Sequence, residues 1–180
     1  MSLALAALRA PAPPMIPPRP PPTALHDARE LRAALGAFAT GVAIVTTRAA
    51  DGLHGLTINS FASVSLDPPL ALWSLDLRSH SLHAFESAPA FAVNVLGRHQ
   101  ADLARRFARP GLDRFAGLAL SEGLEGAPLL IDCVAAFECR RVAMHEGGDH
   151  VIFVGRVERY RADQRPPLVF SRGKFGGFSE

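Results

Sequence analysis

The chain has 180 residues, of which 48% are hydrophobic and 20% are charged, a composition typical of one globular domain and not of a disordered protein. Its formal net charge is +2, and Arg9 and Arg19 supply this excess from a stretch without acidic residues. The neutral remainder lacks the basic surface that binds nucleic acid or an anionic membrane, and no apolar stretch approaches the roughly 18 residues of a membrane span.

The N-terminal segment is rich in proline. Eight of the 15 prolines lie between Pro11 and Pro22, and such a segment favours extended, solvated polyproline II. We therefore predict a disordered tail over residues 1–24 and a folded domain over 25–180. The tail is either a spacer or a ligand for a proline-recognising domain. The short apolar run Leu3–Leu8 has no basic residue before it, unlike a secretory signal, and this predicts a cytoplasmic protein.

The first predicted element is an amphipathic helix. Asp27 and Glu30 have the spacing of a capping box, and Leu31, Leu35 and Phe38 follow at helical intervals. The helix is predicted to end before Gly41.

Short apolar segments separated by turn signals follow the helix. The Asp51-Gly52 pair and Asp67-Pro68-Pro69 mark two of the breaks. Strands are predicted at Gly41–Thr47, Leu53–Asn59, Leu70–Leu75, Phe91–Leu96, Val134–Arg141, His150–Tyr160 and Pro167–Phe170, and helices at Ser81–Glu86 and Arg98–Phe107. Because strands and helices do not alternate, the fold class is predicted to be mainly β: an antiparallel β-barrel with peripheral helices.

Cys133 and Cys139 are the two cysteines of the chain. Six residues apart on one strand, they would lie about 20 Å from each other, too far for a disulfide. We predict two buried thiols in a reducing compartment.

Several common functional motifs are missing from the sequence. It contains no GxGxxG, no GxxxxGK[ST], no GxSxG and no zinc-type spacing of His and Cys. Dinucleotide-fold, nucleoside triphosphatase and hydrolase chemistry are therefore not indicated, and no metal site is predicted.

Small polar side chains cluster at the end of the second predicted strand and in the turn after it. They are Thr57, Asn59, Ser60, Ser63 and Ser65. This pattern fits either a polar strand edge with its turn or a site that offers neutral donors and main-chain amides to a phosphorylated ligand. A second group, Arg78, Ser79 and Ser81, stands at the start of a predicted helix, where free N–H groups favour an anion or one serine caps the helix.

A histidine begins the strand that follows the turn Gly147-Gly148-Asp149. In a strand, Val151, Phe153 and Val157 share the apolar face, and His150 lies on the other face. His150 is therefore either a surface histidine or a functional residue at the mouth of the barrel.

The motifs, taken in their order along the chain, resemble those of the flavin reductase domain, the FMN-binding split barrel of short-chain NAD(P)H:flavin oxidoreductases. The matching segments are LRAALGAFATGVAIVTT (31–47), GLTINSFASVSLDPPL (55–70), FAVNVLGRHQADLARRFA (91–108), GGDHVIFVGRV (147–157) and PPLVFSRGKFGG (166–177). The resemblance covers nearly everything after residue 28.

The resemblance implies roles for particular residues. Thr57, Asn59 and Ser60 would line the flavin ring and ribityl chain, and Ala92 and Asn94 would pass beside the ring. His150 would lie near the nicotinamide and orient its carboxamide. Phe175 stands where the family often has a stacking tyrosine. The residues expected at the phosphate end are Ser63, Ser65, Arg78, Ser79 and Ser81.

The resemblance also implies an activity: hydride transfer from NADH or NADPH to FMN or FAD, with reduced flavin supplied to a partner monooxygenase. It further implies a homodimer. The alternative is a split barrel that binds flavin or haem without turnover. Chemistry like that of pyridoxamine-phosphate oxidase is disfavoured, because residues 55–70 contain no Arg or Lys to clamp phosphates.

Overall fold

The computed structural model describes residues 27–111 and 113–177. The α-helices are α1 (Ala28–Leu35), α2 (Leu82–Ser87) and α3 (Ala101–Ala108), with 3₁₀ turns at Arg98–Gln100 and Leu124–Gly126. The strands are β1 (Thr40–Gly41), β2 (Ala43–Ala49), β3 (Gly52–Ile58), β4 (Ala62–Leu66), β5 (Pro69–Asp76), β6 (Ala90–Val95), β7 (Leu120–Glu122), β8 (Pro128–Leu130), β9 (Ala135–Gly147), β10 (His150–Ala162), β11 (Val169–Ser171) and β12 (Lys174–Gly176). Among the described residues, no helix combines the length and the apolar character of a membrane span.

Seven strands form one sheet in the order β3-β2-β6-β9-β10-β5-β4. Neighbouring strands in it are antiparallel. Small sheets of β1-β11-β12 and β7-β8 complete the architecture. The predicted fold class, mainly β and antiparallel, is confirmed.

An aromatic cluster forms the centre of the main core. On β5, Ala71, Trp73 and Leu75 are buried in alternation with half-buried residues, as a strand with one core-facing side requires. The Trp73 ring stacks on Phe153 of β10 at 4.7 Å and meets Phe85 of α2 edge-on at 4.9 Å. Each such pair adds about 1 kcal/mol beyond the area it buries. The cluster fixes β5, β10 and α2. Side chains of β5 and β10, and of the residues just before α2, line one cleft.

A second core cluster lies under α3. Ala104 and Phe107 of α3 are fully buried and pack with Ile44 of β2 and Leu168. Phe107 also meets Phe115 edge-on at 5.0 Å. This packing holds the C-terminal end of α3 beside β3, on the other side of the same cleft.

The structure alters several predicted elements. Helix α1 ends at Leu35, and Asp27 caps it by accepting a hydrogen bond from the Arg29 N–H at 2.7 Å, one residue earlier than in a capping box. Its apolar side is not buried in this chain, since Leu31 is 44% and Leu35 67% exposed. Segment 62–66, predicted as part of a turn, is the edge strand β4.

Other differences concern the second half of the chain. Strand β9 continues to Gly147, six residues beyond its predicted end, because it pairs with β10 along its whole length. Cys133 lies before β9 and Cys139 within it, and both are buried free thiols, as predicted. The predicted tail over residues 1–24 lies outside the described residues.

Candidate active site

A cleft of about 460 Å³ opens between β3, β5, the start of β10 and the C-terminal end of α3. Its inner surface is partly apolar, with Leu56, Ile58 and Phe107. The other lining residues are Thr57, Asn59, Ser60, Ser74, Leu75, Asp76, Ser79, His80, Ser81, Ala108, Pro110, Arg114 and His150. An apolar inner surface with a few convergent polar groups is the usual form of a small-molecule site.

The hydroxyl groups at the end of β3 hold the walls of the cleft together. The Thr57 hydroxyl donates to the Ala104 carbonyl of α3 at 2.7 Å. The Ser60 hydroxyl accepts from the Ser74 N–H at 3.0 Å and donates to the Ser74 carbonyl at 3.2 Å, which ties the β3–β4 link to β5. Because these hydroxyls already have partners, this stretch meets a ligand chiefly through its main chain.

The loop after β5 brings two serines to the cleft. Asp76 forms a two-pronged ion pair with Arg78, with contacts of 3.1 and 2.8 Å, and this hydrogen bonding holds the pKa of Asp76 well below its usual range. The Ser79 hydroxyl accepts from the Ser81 N–H at 3.3 Å. Ser81 is buried at the N-terminus of α2 and makes no capping bond with its side chain. The Ser81 hydroxyl therefore remains available to a ligand.

His150 is the first residue of β10 and pairs in register with Asp76 of β5. Its Nδ1 lies 2.7 Å from Oδ1 of Asp149, and this hydrogen bond lowers the pKa of Asp149. An ionised carboxylate only accepts hydrogen bonds, so Nδ1 carries the hydrogen, and neutral His150 offers Nε2 as an acceptor. The structure thus places this predicted residue in the cleft.

Arg114 brings a positive charge to the cleft from the loop after α3. Its guanidinium donates to the Gly55 carbonyl at 2.7 Å and to the Arg109 carbonyl at 3.0 Å. Arg114 and Ser81 also line a smaller neighbouring cavity together. A cation and a hydroxyl without an internal partner among the described residues therefore line the same part of the cleft.

A family model for the flavin reductase like domain matches residues 35–179. The chain belongs to this family.

Curated relatives of this flavin reductase family member are named as flavin reductases or as reductase subunits of monooxygenases. FMN reductase (NADH) SmoA of Agrobacterium fabrum is 49% identical over 86% of the chain and 88% of its own length. A probable flavin reductase of Rhizobium meliloti is 46% identical over 84% of the chain, which spans 49% of that protein. The reductase subunit HsaB of a flavin-dependent monooxygenase from Rhodococcus jostii is 39% identical over 84% of the chain and 78% of its own length.

Solved structures support the fold of this family member. The NADH:FAD oxidoreductase SgcE6 of Streptomyces globisporus superposes with a TM-score of 0.84 at 38% identity, covering 91% of the chain and 100% of that protein. Its complex with NAD and FAD fragments superposes with a TM-score of 0.81 at 39% identity over 85% of the chain and 93% of that protein. The predicted split barrel is confirmed.

The structure does not bring every predicted site residue into the cleft. Asn94 is fully buried: its amide donates to the Ile44 carbonyl and the Thr46 hydroxyl, both at 3.1 Å, and its oxygen accepts from the Leu130 N–H at 2.9 Å. Ala92 is buried in a small apolar cluster. These two residues therefore stabilise the interior of the family fold, and their side chains lie outside the cleft lining.

Four further predicted residues also lie outside the lining of the cleft. Ser63 and Ser65 are on edge strand β4, and Arg78 is an exposed residue engaged with Asp76. Phe175 packs on Phe170 at 5.6 Å, beneath the Arg105 guanidinium. The predicted residues that the cleft does unite are Thr57, Asn59, Ser60, Ser79, Ser81 and His150.

Sequence reasoning missed Asp76, Phe107 and Arg114 as cleft residues. Asp76 could have been found from the antiparallel pairing of β5 with β10, since that pairing sets it opposite His150. The local sequence around Arg114 carries no such signal, because its position depends on packing between Phe115 and Phe107.

Proposed function

We propose that this protein is an NADH-dependent flavin reductase that passes reduced flavin to a partner monooxygenase. The observation that carries the proposal is the cleft itself, where His150, main-chain groups at the end of β3, and the Ser81 and Arg114 pair face one volume. The names of SmoA, SgcE6 and HsaB support the same activity.

The residues of the cleft suit a flavin. A volume of about 460 Å³ falls within the usual range for small-molecule sites. Leu56, Ile58 and Phe107 provide apolar surface for a flat ring, and Asn59 and Ser60 provide polar main-chain groups at its edge. Arg114 with Ser81 suits the phosphate end.

When bound, flavin supplies a ring that accepts a hydride from a nicotinamide held against it, so no protein base is needed. The task of this chain is to hold and orient the two partners. His150, fixed by Asp149, accepts a hydrogen bond from the nicotinamide carboxamide through Nε2. The Ser79–Ser81 turn and Arg114 hold the phosphate at the opposite end.

NADH oxidation by the purified full-length chain tests the proposal. We expect loss of NADH absorbance that depends on added FMN or FAD and exceeds a protein-free blank. Parallel assays with NADPH in place of NADH, and with riboflavin in place of FMN or FAD, define the preferred hydride donor and flavin acceptor. A protein that retains a tightly bound chromophore and oxidises NADH no faster than the blank would contradict the proposal and support a binding protein without turnover.

Transfer of reduced flavin to an oxygenase is the second part of the proposal. The cleft is open to solvent along its serine side, since Ser79 and His80 are not buried. An open cleft suits release of flavin as a product. Mixing the reductase with a flavin-dependent monooxygenase is expected to couple NADH oxidation to oxygenase product, and a membrane that blocks protein contact but passes flavin should leave this coupling in place.

We also propose that the protein forms a homodimer in the cytoplasm, where its two buried thiols stay reduced. Strand β4 is the edge of the seven-stranded sheet, and Leu66 on it is 93% exposed. Val64 and Leu77 are also exposed. Exposed apolar side chains on an edge strand are unfavourable in a monomer. Light scattering should give twice the chain mass, and Leu66→Lys should shift it toward the monomer.

A further inference from the structure

A short loop over residues 77–81 connects β5 to α2 and carries the serines that line one end of the cleft. Two main-chain hydrogen bonds fix its first residues. The Leu77 N–H donates to the Asp149 carbonyl at 3.0 Å, and the Ser79 N–H donates to the Asp76 carbonyl at 2.9 Å. The loop is therefore anchored both to the last residue of β5 and to the turn before β10.

The Asp76 carboxylate closes the first turn of this loop. Its Oδ1 accepts from the Arg78 N–H at 2.8 Å and from Nε of Arg78 at 3.1 Å, and its Oδ2 accepts from a terminal guanidinium nitrogen at 2.8 Å. An aspartate that bonds the main chain two residues later stabilises a turn. Because the same carboxylate also holds the Arg78 side chain, the ion pair reinforces this turn.

The ion pair also offsets a negative charge beside the serines. Asp76 lines the cleft together with Ser79 and Ser81, whereas Arg78 lies outside the lining. Hydrogen bonding from Arg78 holds the pKa of Asp76 well below its usual range, so the carboxylate is ionised at neutral pH. An unpaired carboxylate in this lining would repel a phosphate, and the two-pronged contact with the guanidinium reduces that repulsion.

We propose that Asp76 and Arg78 are a pair of positioning residues that set the preference for phosphorylated flavins, with Arg78 acting through the loop and not by contact with the phosphate. This inference rests on the proposed flavin reductase function and deepens it. The pair keeps the loop in the shape that presents the Ser81 hydroxyl to the phosphate. Riboflavin lacks the phosphate, so its binding does not depend on the pair.

The chain offers a matched control, because the same Asp-x-Arg arrangement occurs a second time. Oδ1 of Asp163 accepts from the Arg165 N–H at 3.0 Å, and Oδ2 accepts from Nε of Arg165 at 3.0 Å. Neither of these two residues is part of the cleft lining. Asp163→Ala and Arg165→Gln therefore remove an equivalent pair without altering the site.

Equilibrium binding of FMN and riboflavin to the full-length chain, followed by fluorescence quenching, tests the proposal. We expect Asp76→Ala and Arg78→Gln each to raise Kd for FMN about threefold to tenfold, as loss of one hydrogen bond does. Kd for riboflavin should stay within about twofold of the wild type. Asp76→Asn keeps an oxygen that can accept from the Arg78 N–H, so its loss should be smaller. The Asp163→Ala and Arg165→Gln controls should bind both flavins as the wild type does.

A double-mutant cycle separates positioning from direct contact. If the two residues act as one pair, Asp76→Ala combined with Arg78→Gln raises Kd for FMN no further than the more damaging single variant. Direct contact of Arg78 with the phosphate predicts that Asp76→Ala frees the guanidinium and leaves FMN binding unchanged or tighter. That result overturns the proposal. Additive losses, equal losses for riboflavin, or unchanged FMN binding in both single variants overturn it as well.

Urea unfolding checks that the variants are folded. The side chains of Asp76 and Arg78 are 35% and 85% exposed, so their ion pair contributes little to the free energy of unfolding. Asp76→Ala should therefore have a urea midpoint close to that of Asp163→Ala. If it unfolds more easily, Asp76→Asn and Arg78→Gln decide the question, since the selective loss of FMN binding is expected of both.

NADH oxidation by the wild type is measured separately and distinguishes the two proposals. Selective loss of FMN binding in the variants, together with no flavin-dependent NADH oxidation by the wild type, would support the positioning pair and contradict the reductase function. Flavin-dependent NADH oxidation without selective loss of FMN binding in the variants would support the reductase function and overturn the positioning pair.

Discussion

The Nδ1 atom of His150 lies 2.7 Å from Oδ1 of Asp149, and this contact sets the imidazole at the first position of β10. Both side chains are substantially exposed, 41% and 82% respectively, so the pair orients a ring at low energetic cost and does not stabilise the fold strongly. The register of β10 with β5 then decides that this ring opens into the cleft beside Asp76.

Replacing His150 by alanine should affect NADH more than flavin. We expect His150→Ala to raise KM for NADH about threefold to tenfold, the equivalent of one lost hydrogen bond, because the carboxamide loses its partner. Flavin binding, followed by fluorescence quenching, should stay within about twofold. His83→Ala, an exposed histidine on α2, is the matched control. Equal losses for NADH and flavin would show that His150 stands on the flavin side.

Arg114 should discriminate flavins by their phosphate. Arg114→Gln removes the cation beside Ser81, and we expect KM for FMN to rise about tenfold because a charge-assisted hydrogen bond is lost. KM for riboflavin, which has no phosphate, should not change. Arg156→Gln serves as the control for loss of surface charge. An equal rise in KM for riboflavin would mean that Arg114 does not contact the phosphate but holds its own loop in place, through its hydrogen bond to the Gly55 carbonyl.

Gly155 of β10 should be intolerant of a side chain. A Cβ atom at this position would lie 2.5 Å from the Phe91 ring and 2.8 Å from Cβ of Cys139. Gly155→Ala is therefore expected to lower the free energy of unfolding by about 1–3 kcal/mol through overpacking. Gly41→Ala, where no atom lies within 4 Å, should change it by less than about 0.5 kcal/mol. Urea unfolding of both variants measures their free energies of unfolding. Equal values would contradict the close packing of Phe91 and Cys139 around Gly155.

The two cysteines should make the fold sensitive to alkaline pH. Burial raises the pKa of Cys133 to about 11 and that of Cys139 to about 12, whereas thiols in an unfolded chain titrate near about 8.5. Above that pH the unfolded state loses protons that the folded state keeps, so the free energy of unfolding falls as pH rises.

Urea unfolding between about pH 7 and pH 10 checks this expectation. A variant with Cys133→Ala and Cys139→Ala should lose less stability over that interval than the wild type. Thiol labelling gives an independent measurement, since the folded protein should react with a disulfide reagent far more slowly than the unfolded protein. Rapid labelling of both thiols in the folded state would show that they are not buried.

Family, fold class and half of the site could be read from local patterns. Turn signals located β5, period-two alternation gave the faces of β10, and the ordered motifs around residues 55–60 and 147–150 pointed to the same cleft that the structure contains. Polar residues at strand ends and helix starts leave a local signature, which singled out Thr57, Ser60, Ser79, Ser81 and His150. The family resemblance then assigned their roles.

The remaining predictions depended on orientation, which local patterns do not carry. Asn94 was predicted beside the flavin. Because β6 lies between β2 and β9 in the sheet, the Asn94 side chain instead forms hydrogen bonds in the interior. Strand β4 was predicted as a turn because its hydroxyl-rich sequence has low strand propensity, and pairing with β5 overrides that preference.

The sequence by itself determined which segments extend, where they turn and which family they belong to, because alternation, turn residues and motif order act over a few neighbouring positions. The tertiary structure decided that Arg114 and Ser81 line one cavity, and that Arg29 and Arg32 of α1 line a groove together with Arg172 of the β11–β12 turn. These groups are distant along the chain, and only aromatic packing around Phe107 and the hydrogen bonds to the Gly36 carbonyl bring them together.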